Sequence, residues 1–186
     1  MYQKRYHKTT PAEPDGLPLV QAPCYRFDSD HIVLAVSHDG RYKSRSGYTS
    51  IHTVRDYYSG MAHALPMKSK TKDLCGRHFK WFAGFKAGRP SIIVKSDNAG
   101  EITEAVEDLG WHTCPSLADR WPHNARQERY HGVLKDRIRA VIYRSGLPED
   151  CWDLAVEFSA LALSIVQKAP ILPEEKDDSG NILEKF

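Results

Sequence analysis

In the first third of the chain, apolar positions fall in short runs and alternations that suit strands. Tyr25 to Val33, continued by Leu34-Ala35-Val36, predicts one strand, and the Asp39-Gly40 pair behind it predicts a tight turn. Tyr48 to Arg55 is rich in β-branched and aromatic residues and predicts a second strand. After a turn through Asp56-Tyr57-Tyr58-Ser59-Gly60, Met61 to Met67 predicts a third, completing an antiparallel meander. The period then changes. Leu74, Cys75, Phe79, Phe82 and Phe85 recur at helical spacing between Ser69 and Lys86, with Ser69 and Thr71 as candidate caps and Gly88-Arg89-Pro90 as the stop.

Ser91 to Ser96 is a compact apolar run that predicts a buried strand ending at Asp97. Ile102, Ala105, Val106 and Leu109 mark one face of a helix from about Glu101, and Trp111 to Pro115 is a brief strand-like segment. The longest helix starts near Asn124, where Tyr130, Val133, Leu134, Ile138, Val141 and Ile142 form one apolar stripe that predicts burial. Gly146-Leu147-Pro148 ends it. A last helix opens at Glu149-Asp150 and carries Trp152, Leu154, Ala155, Phe158, Leu161, Ile165 and Val166. This order predicts an α/β fold in which helices flank a mixed sheet.

The segments outside these elements differ in composition. Pro11, Pro14, Pro18 and Pro23 make residues 1–23 an extended, disordered leader by expectation, and residues 169–186 form a loose charged tail around a domain at 24–168. With 186 residues, 41% hydrophobic and 27% charged, the chain has the make-up of one globular domain, which excludes collagen-like, coiled-coil and wholly disordered classes. No apolar run approaches the about 18 residues of a membrane span, and no secretory h-region follows the N-terminus, so an intracellular protein without a membrane partner is expected. Cys24, Cys75, Cys114 and Cys151 are spread without a Cys-x-x-Cys pair, which predicts reduced, packed thiols. The net charge of +2 is uninformative, but between Pro122 and Arg144 six basic residues face only Glu128 and Asp136. A local basic helix points to a polyanion.

Two carboxylates stand out. Asp97 closes an apolar strand and precedes a turn, a position that faces a rigidly held carboxylate into a crevice, although Ser96-Asp97-Asn98 also suits a helix cap or an Asx turn. Glu128 lies in the first turn of the long helix, away from the apolar stripe, with Gly132, Lys135 and Arg139 following on its face. One carboxylate with two cations in line suits a phosphodiester near a metal, and a solvated helix face would read the same way. His112 and Cys114 share one side of a short segment, where packing outweighs zinc binding. The four tryptophans read as core or rim, with Trp121 the one candidate for stacking on a base.

Lys95-Ser96-Asp97-Asn98-Ala99-Gly100-Glu101 resembles the second-aspartate motif of the retroviral-type integrase catalytic core. Pro122-His123-Asn124-Ala125-Arg126-Gln127-Glu128-Arg129 resembles that family's glutamate segment. Val133 to Arg139, Ser145-Gly146-Leu147-Pro148 and Trp152 continue as in copia-type retrotransposon integrases, and Arg55 to Gly60 and Leu65 to Lys70 match the second and third strands. The resemblance implies an RNase H-like fold, with a mixed five-stranded sheet containing an antiparallel three-strand meander, and DNA 3′-processing and strand transfer. It implies a metal-binding, catalytic triad of Asp30, Asp97 and Glu128, with Asp39 the rival for the first place and Asp56 at a non-catalytic position. Two Mg²⁺ or Mn²⁺ ions are the implied cofactors, since carboxylates suit hard cations. Lys135, Arg139, Arg126 and Asn124 are the implied nucleic-acid contacts. DNA is the implied partner, self-association is open, and an active integrase would work in the nucleus.

Two features depart from the family pattern. Only 30 residues separate Asp97 from Glu128, fewer than the family's spacer, and Ala125 stands where the mobile loop usually has Gly. No His-x-His…Cys-x-x-Cys zinc module precedes the core-like region. An RNase H- or resolvase-type nuclease and a non-enzymatic nucleic-acid binder on the same fold therefore stay beside the integrase reading.

Overall fold

A computed structural model describes residues 20, 22–34, 43–89, 91–115 and 125–166. The expected leader up to residue 19, Asp39 with its turn, Trp121, Asn124 and the expected tail lie outside the described residues. Five strands and four helices follow in the order β1 (Arg26–Val33), β2 (Ser50–Asp56), β3 (Ala62–Met67), α1 (Lys72–Ala83), β4 (Ile93–Ser96), α2 (Gly100–Asp108), β5 (His112–Pro115), α3 (Ala125–Ser145) and α4 (Trp152–Val166). The sheet order is β3-β2-β1-β4-β5. β1, β2 and β3 pair antiparallel, whereas β1–β4 and β4–β5 are parallel. This is the mixed five-stranded sheet and three-strand meander that the sequence predicts. Pro66 is tolerated because β3 is an edge strand, where a missing N–H costs the sheet little.

Helices cover both faces. Phe27, Val54, Met67, Ile92 and Val94 pack with Cys75 and Phe79 of α1 and with Ile102, Ala105 and Val106 of α2. Ile32, Ile51, Ala62 and Ala64 pack with Tyr130, Leu134, Ile138 and Ile142 of α3 and with α4. All seven residues of β2 are buried, so its polar members must find partners inside. Asp56 does so in the turn that follows. Its carboxylate accepts the backbone N–H of Cys24 at 2.9 Å and both the N–H and the hydroxyl of Ser59 at 2.8 and 2.6 Å.

On the α1 side the polar members form a row. Ser29 Oγ donates to the Thr53 carbonyl at 3.1 Å, so it accepts from His52 Nε2–H at 2.9 Å. His52 Nδ1 then accepts from His78 Nδ1–H at 2.9 Å, and His78 Nε2 accepts from His63 Nδ1–H at 2.8 Å. One acceptor at the end of the row therefore sets every tautomer. Burial pushes the His52 imidazole well down and His78 to about 3, so the row stays neutral.

Several boundaries and faces differ from the sequence expectation. Thr71 is the N-cap of α1 but makes no side-chain capping bond. α1 ends at Gly84, whose positive φ of 57° suits a glycine, and a 3-10 turn over Gly84–Lys86 follows before Gly88 is reached. Val133 is exposed, since α3 turns a narrower stripe to the core than the apolar spacing suggests. In α4 the small residues Ala155, Ser159 and Ala160 face inward, which leaves Leu154, Phe158, Leu161 and Ile165 half or more exposed. Trp152, Val156 and Leu163 complete the buried side of the helix.

Phe79 is fully buried against His52 and Trp111, whereas Phe85, of the same helical periodicity, is 92% exposed. Urea denaturation should find Phe79→Ala destabilising by about 3–5 kcal/mol. Phe85→Ala should stay within about 0.5 kcal/mol of the parent.

Candidate active site

The site is built where β1 and β4 run side by side. The parallel register pairs Asp28 with Lys95, and two residues further along each strand stand Asp30 and Asp97. Asp30 also sits opposite Thr53 in the antiparallel β1–β2 pair. Along β1 successive side chains alternate between sheet faces, so Asp28, Asp30 and Ile32 turn toward α3.

α3 is locked to this face by polar contacts at its first turns. Gln127 Nε2 donates to Thr53 Oγ1 at 2.8 Å, and Thr53 Oγ1 donates to the Asp30 carbonyl at 2.9 Å. His131 Nε2 lies 2.8 Å from the same hydroxyl, and with the hydroxyl proton committed to Asp30 the imidazole is the donor. His131 Nδ1 then faces Asp30 Oδ2 at 3.7 Å. Burial holds His131 down to about 4, so it stands there as a neutral ring. One residue before Gln127, Arg126 pairs with buried Asp28 at 3.6 Å, donates to the Tyr57 carbonyl at 3.2 Å and lies over the Tyr57 ring. These contacts fix the first turn of α3, from which Glu128 projects as an exposed carboxylate.

Asp97 and Glu128 both bear electrostatically on Asp30. The Asp30 carboxyl is pushed up to about 7, first by burial and then by Asp97, with Glu128 adding to the rise. Its acceptance of the His31 N–H at 2.6 Å and the nearby Lys70 cation act the other way. Asp97 is also raised, by partial burial and by Glu101, which starts α2. A buried carboxyl whose ionisation two neighbouring carboxylates oppose fits a hard divalent cation, whose charge would relieve that repulsion.

The sequence-predicted residues are thus placed as follows. Asp97 and Glu128 each raise the Asp30 carboxyl, Lys135 is half-buried on α3, and Arg139 is exposed and bound to Asp136 at 3.1 Å. Arg126 is engaged with Asp28 and Tyr57. Thr53, Gln127 and His131 were not singled out by sequence. Gln127 and His131 do lie one helical turn apart, but nothing local marks Thr53 as their common partner.

No family model matches the sequence, and comparison with curated proteins finds no match. Solved structures do match in fold. The chain resembles the HTLV-2 integrase catalytic core domain in complex with magnesium, in a trimeric form, at 16% identity and a TM-score of 0.50 over 87% of this chain and 95% of that one. It also resembles the BIV integrase catalytic core at 17% identity and a TM-score of 0.50, over 80% and 88% of the two chains. A chain of the simian T-cell lymphotropic virus intasome matches at 16% identity and a TM-score of 0.52, over 83% of this chain and 59% of that one. The fold is that of an integrase catalytic core, RNase H-like.

Because Asp30 ionises less readily folded than unfolded, its penalty is absent at low pH and grows as pH rises from about 4 toward 7. Asp97→Asn removes part of the cause. The variant should match the parent near pH 4 and exceed it in stability by on the order of 1 kcal/mol near pH 8. Melting curves across that range, without divalent cations, measure the gap.

Proposed function

We propose that this chain is an integrase-type polynucleotidyl transferase core of the copia-like retrotransposon kind, acting on DNA phosphodiesters. The observation that carries the reading is that Asp97, just past the end of β4, and Glu128, in the first turn of α3, both oppose ionisation of Asp30 on β1. Asp30, Asp97 and Glu128 would hold Mg²⁺ or Mn²⁺, which when bound supplies activation of a water or DNA 3′-hydroxyl and stabilisation of the leaving oxygen. Thr53 and Gln127 keep α3, and with it Glu128, in register with β1. Lys135 and Arg139 share the Glu128 face of α3 and would position phosphates without reading sequence. Such an enzyme would work in the nucleus.

The test is nicking and joining of short DNA duplexes in Mn²⁺ or Mg²⁺. The parent should cleave, while Asp30→Asn, Asp97→Asn and Glu128→Gln should each fall to the metal-free background with the fold intact by circular dichroism. Cleavage of RNA–DNA hybrids alone would replace the reading with a nuclease. DNA binding without any cleavage would replace it with a non-enzymatic binder. Neutralising Lys135 and Arg139 together should weaken binding about equally for all sequences and reduce the salt slope by about two.

A second copy of this chain is the partner we assign to α4. Leu154, Phe158, Leu161 and Ile165 stand one per turn on its exposed side, a seam that can meet its own copy about a two-fold axis. Sedimentation of the parent should show a dimer at micromolar concentration, and Phe158→Glu with Leu161→Glu should give a monomer that melts within a few degrees of the parent. A parent that stays monomeric would overturn the assignment.

A further inference from the structure

The opposite face of β1 carries a second constellation, of different chemistry. His31 on β1 and His52 on β2 are directly paired across the strands, and Cys75 of α1 lies over them. One ring nitrogen of each histidine and Cys75 Sγ all fall within 4.8 Å of one another. His31 Nε2 is 3.7 Å from Cys75 Sγ and 3.5 Å from Glu101 Oε1, in the first turn of α2. Among the described residues, no other set of His, Cys and carboxylate side chains clusters in this way.

Ordinary hydrogen bonding does not account for this arrangement. Both contacts of His31 Nε2 exceed the usual range for an N–H donor to oxygen or are weak thiol contacts. Glu101 Oε1 is a buried atom held only by long contacts, to His31 at 3.5 Å and to the Lys70 ammonium at 3.4 Å. Buried polar atoms left this way need an explanation.

A tetrahedral ion supplies one. Zinc binds sulfur at about 2.3 Å and imidazole nitrogen at about 2.0–2.1 Å, so its ligand atoms stand roughly 3.4–3.6 Å apart. The two His31 distances are close to those edges. The donors are nitrogen, sulfur and one carboxylate, a borderline-soft set that favours Zn²⁺ over Mg²⁺ or Mn²⁺.

We infer that His31, His52, Cys75 and Glu101 form a zinc site on the α1–α2 side of the sheet, separate from the carboxylate centre. Cys75 binds as the thiolate. His52 joins by exchanging one of its two ring contacts, with His78 or Ser29, for the ion. Lys70, which lies 3.4 Å from Glu101 and is 45% exposed, swings out to solvent. The ion is a structural pin rather than a second reaction centre. It ties β1, one residue past Asp30, to α2, whose first turn follows Asp97. The inference does not depend on the proposed DNA chemistry.

The experiment uses the full chain, stripped with chelator and then titrated with Zn²⁺ or with Co²⁺ as a spectroscopic stand-in. The expected result is one equivalent bound, a rise in melting temperature, and a Co²⁺ spectrum with a thiolate charge-transfer band and the intense visible absorption of tetrahedral cobalt. Cys75→Ser should lose the charge-transfer band, and Cys75→Ser and His31→Gln should each weaken Zn²⁺ binding at least about tenfold. Asp97→Asn should leave Zn²⁺ binding unchanged, which separates this site from the carboxylates. Absence of stoichiometric Zn²⁺ binding by the parent, or a Co²⁺ spectrum without sulfur ligation, would overturn the inference. So would Zn²⁺ binding that Asp97→Asn abolishes and Cys75→Ser does not.

Discussion

The hydroxyl of Thr53 is the joint on which the active-site side of this molecule depends. It accepts from Gln127 and His131 of α3 and donates to the backbone of β1 at Asp30. The apolar stripe of α3 at Tyr130, Leu134, Ile138 and Ile142 attaches the middle and end of the helix to the sheet. Its first turn, rich in charge, has no such grip. Buried hydrogen bonds supply it, and leaving one of those groups unpaired would cost about 1–3 kcal/mol. The distance between a carboxylate on a strand and a carboxylate on a helix is therefore governed by a threonine that belongs to neither.

Arg126 extends the same logic. The resemblance gives it to the nucleic acid, yet in the folded chain it bridges buried Asp28 and the face of Tyr57. A buried carboxylate needs a cation nearby, and Arg126 is the α3 side chain that reaches it. Lys135 and Arg139, further along α3, are not drawn into this buried pairing.

β1 also separates two chemistries by one peptide bond. Side chains alternate across a strand, so Asp30 faces His131 of α3 on one side while His31 meets His52 and Cys75 on the other. α2 repeats the arrangement at its start, where Asp97 precedes the helix and Glu101 lies in its first turn. The sheet itself keeps Asp30 apart from the His31, His52 and Cys75 cluster.

Sequence alone determined the elements and their order, because each is announced locally by period, turn residues and apolar runs. It marked Asp97 by its place at a strand end and Glu128 by its face of the long helix, and the motif resemblance added Asp30. The faces that larger structure must choose were not legible. Val133 and Phe158 carry the same apolar signal as Leu134 and Val156, and only the closeness of the sheet decides which pair is buried. The partners of Thr53 stand 74 and 78 residues away in sequence. His31, His52 and Cys75 have no metal-like spacing, and they meet because strand register sets the histidines side by side while α1 packs over them. Such contacts arise from register and helix docking, which no local window of the chain contains.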